Sequence, residues 1–124
     1  MFVTSEYRFS AAHQIPHHPL CKRLHGHTYR LVVTLRGKID PRTGMVIDFD
    51  ELREVVGRQV LSLLDHAFLN EIVELPTSEL LVVWIWNRLA EAVPQLHEVR
   101  LYEQPETCVS YRGEAEPFLQ PEEP

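Results

Sequence analysis

Two stretches near the N-terminus alternate apolar and polar residues with a period of two, which is typical of strands with one buried face. In the first stretch, residues 2–14, the face expected to be buried carries Tyr7, Phe9, Ala11 and His13. In the second stretch, residues 24–36, it carries His25, His27, Tyr29, Leu31, Val33 and Leu35. Each buried face therefore has histidine at one end, where the strand would leave the core.

The spacing of apolar residues then changes to that of a helix. Residues 40–44 form a predicted turn, and residues 45–47 a predicted returning strand. Asp48 and Glu51 form a predicted capping pair at the start of an amphipathic helix of about four turns. Its apolar residues are Leu52, Val55, Val56, Val60, Leu63 and Leu64.

A second helix and a closing hairpin follow. Thr77 or Ser78 is expected to cap the second helix, and Pro94 to end it. Residues 98–104 and 107–112 are predicted to form a hairpin. Strands joined by hairpins, with the helices grouped between them, indicate an α+β fold with an antiparallel sheet covered by two helices on one face. The exposed edges of such a sheet favour pairing with a partner chain.

Composition narrows the class of protein. The chain has 124 residues, enough for one domain with its own core, which we place at residues 1–113. The remaining residues, 114–124, hold four Glu and three Pro and are expected to be a loose acidic tail. A net charge of -6, with no run of Lys and Arg, disfavours a nucleic-acid-binding protein.

Two further features concern location. Two cysteines are too few for a disulfide framework and favour a reducing compartment. The N-terminus lacks the pattern of a signal peptide. The longest apolar run has seven residues, Leu80 to Trp86, whereas a membrane span needs about 20. We therefore expect a soluble, cytoplasmic protein without a membrane partner.

The sharpest local motif is His25-Gly26-His27. Residues i and i+2 of a strand point to the same side, so two imidazoles would stand next to each other. If the two N-terminal strands are adjacent, His13 can join them around one ion. Three neutral histidines suit Zn²⁺ and leave a fourth position open, as in catalytic zinc sites. The H-x-H spacing alone fits ordinary polar residues at a strand end equally well.

Four other residues are candidates for chemistry. Cys21, beside Lys22 and Arg23, could be a thiolate base, a nucleophile or a metal ligand, or an inert buried thiol. Asp65 and His66 could form a proton relay, although a histidine at a helix C-terminus needs no such role. Glu103 continues an apolar strand face, where it could bind paired N–H donors of a ligand, form a salt bridge or simply be exposed at the strand end.

These motifs together resemble a known family. The chain is similar to the 6-pyruvoyl tetrahydropterin synthase and 6-carboxytetrahydropterin synthase family from about Phe9 to Gly113. The matching stretches, in family order, are FSAAH (9–13), CKRLHGH (21–27), IDPRTGMVIDFDEL (39–52), LDHAFLN (64–70), PTSE (76–79) and YEQPETCVSYRG (102–113). The resemblance implies the tunnelling fold, a four-stranded antiparallel sheet with two helices on one face. It also implies trimers that form a twelve-stranded barrel and stack in pairs into a homo-hexamer.

The resemblance also implies a role for each candidate residue. It makes His13, His25 and His27 the zinc ligands and Cys21 the catalytic thiol. Asp65 and His66 become the assisting relay. It further makes Glu103 the anchor of a pterin ring, with Thr77 and Ser78 nearby.

The implied reaction starts from 7,8-dihydroneopterin triphosphate. The spacing Cys-x-x-x-His-Gly-His resembles the bacterial carboxy-type enzyme of the queuosine and deazapurine pathway, which forms 6-carboxytetrahydropterin and releases acetaldehyde and triphosphate. One departure concerns the loop between His13 and Cys21, which has only seven residues. Alternatives are the pyruvoyl-type enzyme, which eliminates triphosphate, a retro-aldol product, and a non-catalytic zinc or pterin-binding module.

Overall fold

The computed structural model describes residues 1–115, 117 and 118. The expected tail, residues 114–124, lies mostly outside this range. The strands are β1 (Phe2–His13), β2 (His25–Arg36), β3 (Leu96–Gln104) and β4 (Thr107–Tyr111). The helices are α1 (Phe49–Val56), a π-helical segment (Gly57–Leu61), the single turn α2 (Ser62–Leu64), a 3₁₀ turn (Leu69–Glu71) and α3 (Ser78–Ala92).

The four strands form one antiparallel sheet in the order β1-β2-β3-β4. The α+β class, the antiparallel sheet and the two helical regions are therefore confirmed. The first of these regions runs from α1 through the π-helical segment to α2, close to the predicted four turns. No helix within the described residues is both long and apolar enough to cross a membrane.

The core lies between one face of the sheet and the helices. The predicted alternation of β1 and β2 is present, because the odd-numbered residues from Tyr7 and from Tyr29 onward are buried. The core side chains with no more than 2% exposure include Phe9, Tyr29, Leu31, Val33, Leu35, Leu52, Val56, Val60, Leu64, Leu69, Leu81, Ile85, Leu89, Val99 and Leu101. Burial of these side chains holds the sheet against the helices, at about 1.5–3 kcal/mol for each fully buried large apolar side chain.

The helix ends follow the predicted capping residues. The Asp48 carboxylate accepts a hydrogen bond from the backbone N–H of Asp50 at 2.7 Å and begins α1. Thr77 caps the N-terminus of α3, where its hydroxyl accepts from the N–H of Leu80 at 3.2 Å. Ser78 is the first residue of α3, and its hydroxyl donates a hydrogen bond to Glu103 on β3 instead of capping the helix. Thr77 is adjacent in sequence to Pro76, whose carbonyl contacts His13 at the end of β1.

The predicted strand at residues 45–47 is wrong. The chain makes a single bridge there, between Asp40 and Met45, around a turn in which Gly44 has a φ of 73°. The reason lies in β2, which pairs with β1 on one side and with β3 on the other. A strand returning from the turn therefore finds no free edge of β2, and the chain continues into α1 instead.

Candidate active site

The three histidines of the sequence motif converge at one end of the β1–β2 pair. The antiparallel register places His13 directly opposite His25, and Ala11 opposite His27. The Nε2 atoms of His13 and His25 are 3.0 Å apart. The ring centroid of His27 lies 5.1 Å from that of His13 and 4.9 Å from that of His25. The adjacency of the strands, on which the sequence argument depended, brings all three rings together.

Backbone carbonyls fix the tautomers of two of these rings. The Nδ1 atom of His13 lies 2.9 Å from the carbonyl of Pro76, and that of His25 lies 2.7 Å from the carbonyl of Arg23. A carbonyl can only accept, so each Nδ1 must donate a proton. In the neutral rings both Nε2 atoms then carry lone pairs, which face each other at 3.0 Å. Such an arrangement requires a cation between them, either a proton or a metal ion.

His27 adds a third nitrogen that lacks a hydrogen bond. Its Nε2 atom is buried and has no hydrogen-bonding partner within the described residues. It lies 2.8 Å from Oε1 of Glu103, but without the geometry of a hydrogen bond. A buried polar atom without a partner is costly, and coordination of a metal ion would satisfy it.

The charges of the cluster also favour a cation. Burial lowers the pKa of His27, assisted by the charges of His13 and His25, and this keeps the ring neutral. Burial alone would lower the pKa of His13, but its contacts with Glu103 and Pro76 raise it overall. The contact with His13, together with the hydrogen bond from Ser78, lowers the pKa of Glu103 to about 2. Glu103 is therefore a carboxylate at neutral pH.

The dimensions of the cluster suit a metal ion. One donor atom from each of His13, His25, His27 and Glu103 lies within 4.8 Å of the others. Donors at 2.0–2.1 Å from a tetrahedral Zn²⁺ ion would be about 3.3–3.4 Å apart, so small side-chain adjustments are enough. These four residues could hold a metal ion, and three neutral imidazoles with an oxygen donor fit zinc.

Glu103 also faces the start of α3. Its Oε2 atom accepts a hydrogen bond from the hydroxyl of Ser78 at 2.8 Å. A cavity of about 170 Å³ opens beside this pair and is lined also by Thr107. The pairing of β3 with β4 is irregular between Tyr102 and Gln104, and such bulges redirect side chains next to binding sites. Thr77, by contrast, uses its hydroxyl to cap α3.

Cys21 lies half-buried in the loop between β1 and β2. The loop is closed by a hydrogen bond from the N–H of Ile15 to the carbonyl of Cys21 at 2.8 Å. The exposed His18 also braces the loop, because its Nδ1 atom accepts from the N–H groups of Leu20 and Cys21 at 3.1 and 3.0 Å. The thiol makes no hydrogen bond with Asp65 or His66 in the described part of the chain.

Asp65 and His66 are in contact with each other. Oδ1 of Asp65 lies 3.1 Å from Nδ1 of His66 and also accepts from the N–H of Ser10 at 3.0 Å. This hydrogen bond from Ser10 holds the pKa of Asp65 below its usual range, with a smaller effect from His66. His66 has a φ of 61°, which is rare for a residue with a side chain and often marks functional positions. A cavity of about 430 Å³ is bordered by both His66 and His27.

A model of the 6-pyruvoyl tetrahydropterin synthase family matches residues 2–114. The chain belongs to this family. The resemblance noted in the motifs is confirmed, and so is the expected class of enzyme, since the pterin synthases that the chain resembles are lyases.

Named relatives fall into both branches of the family. The 6-carboxy-5,6,7,8-tetrahydropterin synthase of Synechocystis is 42% identical, over 96% of each chain. The 6-pyruvoyl tetrahydrobiopterin synthase of Drosophila melanogaster is 37% identical, over 90% of this chain and 79% of that one. The structure of Caenorhabditis elegans 6-pyruvoyl tetrahydropterin synthase superposes with a TM-score of 0.81 at 30% identity, covering 92% of this chain and 97% of that one.

Three groups at the site carried no signal in the sequence. They are the carbonyl of Pro76, the N–H of Ser10 and the ring of His18, which the sequence alone would leave as a surface residue. The first two are backbone groups: any residue type could supply the carbonyl, and any except proline the N–H. His18 could have been found only through its spacing of three residues before Cys21, a pattern that many loops share.

Proposed function

We propose that the chain is a zinc-dependent pterin synthase that converts 7,8-dihydroneopterin triphosphate and one water molecule into 6-carboxy-5,6,7,8-tetrahydropterin, acetaldehyde and triphosphate. The observation that carries this proposal is the convergence of the donor atoms of His13, His25 and His27 beside a carboxylate, Glu103. Family membership supports the pterin class of substrate. We place the protein in the cytoplasm and in the queuosine and deazapurine pathway.

His13, His25 and His27 are the proposed zinc ligands. The carbonyls of Pro76 and Arg23 orient two of the rings so that their Nε2 atoms face the ion. When bound, zinc would act as a Lewis acid toward the side-chain hydroxyls of the substrate. Glu103 is left for the pterin ring, since its Oε2 atom and Ser78 border the cavity of about 170 Å³. We include Thr77 as the residue that positions Ser78.

Cys21, Asp65 and His66 are the proposed proton-transfer groups. The contact between Asp65 and His66 fits a relay in which the carboxylate holds the imidazole and tunes its basicity. His66 and His27 border one cavity, so a substrate there could reach both. A purely zinc-binding or pterin-binding module would need none of these three residues, which favours an enzyme.

The carboxy-type product is the finer part of the proposal. It is supported by the position of Cys21, four residues before His25, and by the similarity to the Synechocystis carboxy-type relative. The pyruvoyl-type reaction is the second candidate, and the similarity to the Drosophila relative supports it. Both candidates use the same residues for the metal and the ring.

Product analysis distinguishes the two candidates. We expect incubation of the zinc-loaded protein with 7,8-dihydroneopterin triphosphate to give 6-carboxytetrahydropterin and one acetaldehyde per turnover, measured by mass spectrometry. Dominant 6-pyruvoyl tetrahydropterin without acetaldehyde would instead establish the pyruvoyl-type reaction. If neither product forms, the chain is not a synthase of this substrate.

Substitution of Glu103 tests the proposed ring anchor. We expect Glu103→Gln to weaken binding of dihydroneopterin about 10–100-fold by calorimetry, because a charge-assisted pair of hydrogen bonds is lost. Zinc content should stay at one per chain, and Glu91→Gln, on the exposed side of α3, should bind normally. Loss of zinc from Glu103→Gln would indicate that Glu103 is a metal ligand instead. An unchanged affinity for dihydroneopterin would contradict its role as the anchor of the pterin ring.

We also propose a homo-hexamer built from two trimers, each closing a twelve-stranded barrel. Within the described residues, β1 and β4 are the edges of the sheet, and such edges favour pairing between chains. Light scattering at micromolar concentration should give six times the mass of one chain. A monomeric mass would contradict this assembly.

A further inference from the structure

The sheet face that points away from the helices is unusually basic for this chain. We call the even-numbered side chains of β1 and β2, together with Glu98, Arg100, Tyr102 and Gln104 of β3, the open face. It carries four arginines, at positions 8, 30, 36 and 100, and two glutamates, at positions 6 and 98. The chain as a whole has a net charge of -6. Positive charge is therefore concentrated on this face.

Most of the negative charge of the open face is already paired. Glu98 accepts from Arg100 at 2.7 Å and from Arg112 at 2.9 Å. Glu6 lies 3.7 Å from a guanidinium nitrogen of Arg30, and both side chains are partly in solvent. An exposed pair at this distance contributes little. The positive charge around Arg30 is thus only weakly compensated.

Arg8 lies directly opposite Arg30 in the β1–β2 register. Like charges in directly opposed cross-strand positions repel each other and destabilise the sheet. Arg8 forms no ion pair or side-chain hydrogen bond with any of residues 1–115, 117 and 118. Two neighbouring guanidinium groups, one of them without an ion pair in this range, give this part of the face a local excess of positive charge that attracts anions.

Arg8 and Arg30 line a small cavity together with polar and aromatic side chains. A cavity of about 150 Å³ is lined by Arg8, Thr28, Arg30, Tyr102 and Gln104. The guanidinium of Arg30 lies 4.0 Å from the centre of the Tyr102 ring, and this stacking restricts its orientation. Guanidinium, hydroxyl and amide groups are the donors that bind phosphate oxygens.

We propose that Arg8 and Arg30, with Thr28 and Gln104, form a binding site for a phosphate-class oxyanion on the open face. The site is separate from the histidine cluster, because Thr28 and Arg30 point away from the side on which His27 and Tyr29 lie. Thr28 also borders the cavity of about 430 Å³ that His66 lines. The anion can therefore be either a free oxyanion or the phosphate chain of a larger ligand in that cavity.

Inorganic phosphate is the probe for this site. The zinc-loaded protein should bind phosphate by calorimetry at low ionic strength, and phosphate should raise its melting temperature. Arg8→Gln and Arg30→Gln should each weaken binding about tenfold or more and remove the thermal effect. Arg53→Gln, an equal change of charge on an exposed part of α1, should bind within about twofold of the wild type.

Folding of the variants can be checked directly. Without phosphate, Arg8→Gln should melt at or above the wild-type temperature, because the repulsion with Arg30 is removed. The proposal is overturned if phosphate does not bind, or if both arginine variants bind it like the wild type. It is also overturned if Arg53→Gln weakens binding as much as they do, since the effect would then follow net charge alone.

A parallel titration with 7,8-dihydroneopterin and its triphosphate identifies the source of the anion. If Arg8→Gln weakens binding of the triphosphate but not of dihydroneopterin, the site holds the phosphate chain of the ligand. If it weakens binding of inorganic phosphate alone, the site holds a free oxyanion. Both results support the site, and neither depends on the product of the reaction.

Discussion

Replacement of His27 by alanine is expected to remove both bound zinc and catalytic activity. The substitution removes one of three converging nitrogen donors, so only the Nε2 atoms of His13 and His25 remain as histidine ligands for the ion. Loss of groups that merely support a metal ligand costs about 10–100-fold in affinity or activity, so loss of a ligand should exceed the upper end of that range. The measurements are zinc content by atomic spectroscopy and turnover at saturating substrate.

The fold should survive this substitution. His27 lies at the end of the sheet with a side chain that is 15% exposed, and its Nε2 atom has no hydrogen bond to lose within the described residues. Circular dichroism of His27→Ala should therefore match that of the zinc-free wild type. His97→Ala is the matched control, since His97 lies on β3 outside the cluster, where its ring packs against Phe2. That control should keep one zinc per chain and wild-type turnover.

Two results would contradict the proposed metal site. One is a His27→Ala protein that keeps a full equivalent of zinc, and the other is a metal-stripped wild type that turns over normally. The first result would show that His27 is not needed to hold the ion, and the second that the reaction does not depend on zinc.

The sheet was predictable from the sequence because burial imposes a period of two. Tyr7, Phe9, Tyr29 and Leu31 had to face the core, and this determined which way His13 and His27 point. The register was not predictable in the same way, since sliding β1 along β2 by two residues preserves every buried face. The pairing of His13 with His25 is therefore a finding of the structure.

The incorrect strand at residues 45–47 shows where local pattern fails. Met45, Val46 and Ile47 have the composition of a strand, but strand formation needs a free edge as well as suitable residues. Both edges of β2 are already used, and the second of them is taken by β3, more than 60 residues later in the chain. Because the segment that occupies this edge lies far away in the chain, the sequence around residues 45–47 does not indicate that the edge is taken.

The site was predictable only as far as its side chains were distinctive. The His-Gly-His motif and Glu103 stand out because polar groups interrupt apolar faces. Their positions relative to each other depend on backbone features that the sequence does not reveal. Examples are the contact of the Pro76 carbonyl with His13 and the irregular pairing of β3 with β4 beside Glu103. The residues with a chemical role could be named from the sequence, whereas the geometry that links them could not.

Replacement of Cys21 by alanine is the second substitution with a large expected effect. Two backbone hydrogen bonds hold Cys21 in the loop: its carbonyl accepts from the N–H of Ile15, and its N–H donates to the ring of His18. Neither of them involves the thiol. Cys21→Ala should therefore keep the fold and one zinc per chain. If the thiol transfers a proton in the reaction, turnover should fall about 10²–10⁴-fold, the usual contribution of a general acid or base.

The loop itself supplies the control for this experiment. Leu20→Ala truncates an 83% exposed side chain next to Cys21 and leaves its own N–H to His18 intact, so its turnover should stay within about twofold of the wild type. A fall in Leu20→Ala as large as that in Cys21→Ala would assign the effect to the shape of the loop. Turnover of Cys21→Ala within a factor of about two of the wild type would leave the thiol without a catalytic role. A large loss confined to Cys21→Ala, with zinc and circular dichroism unchanged, is the result that a proton-transferring thiol requires.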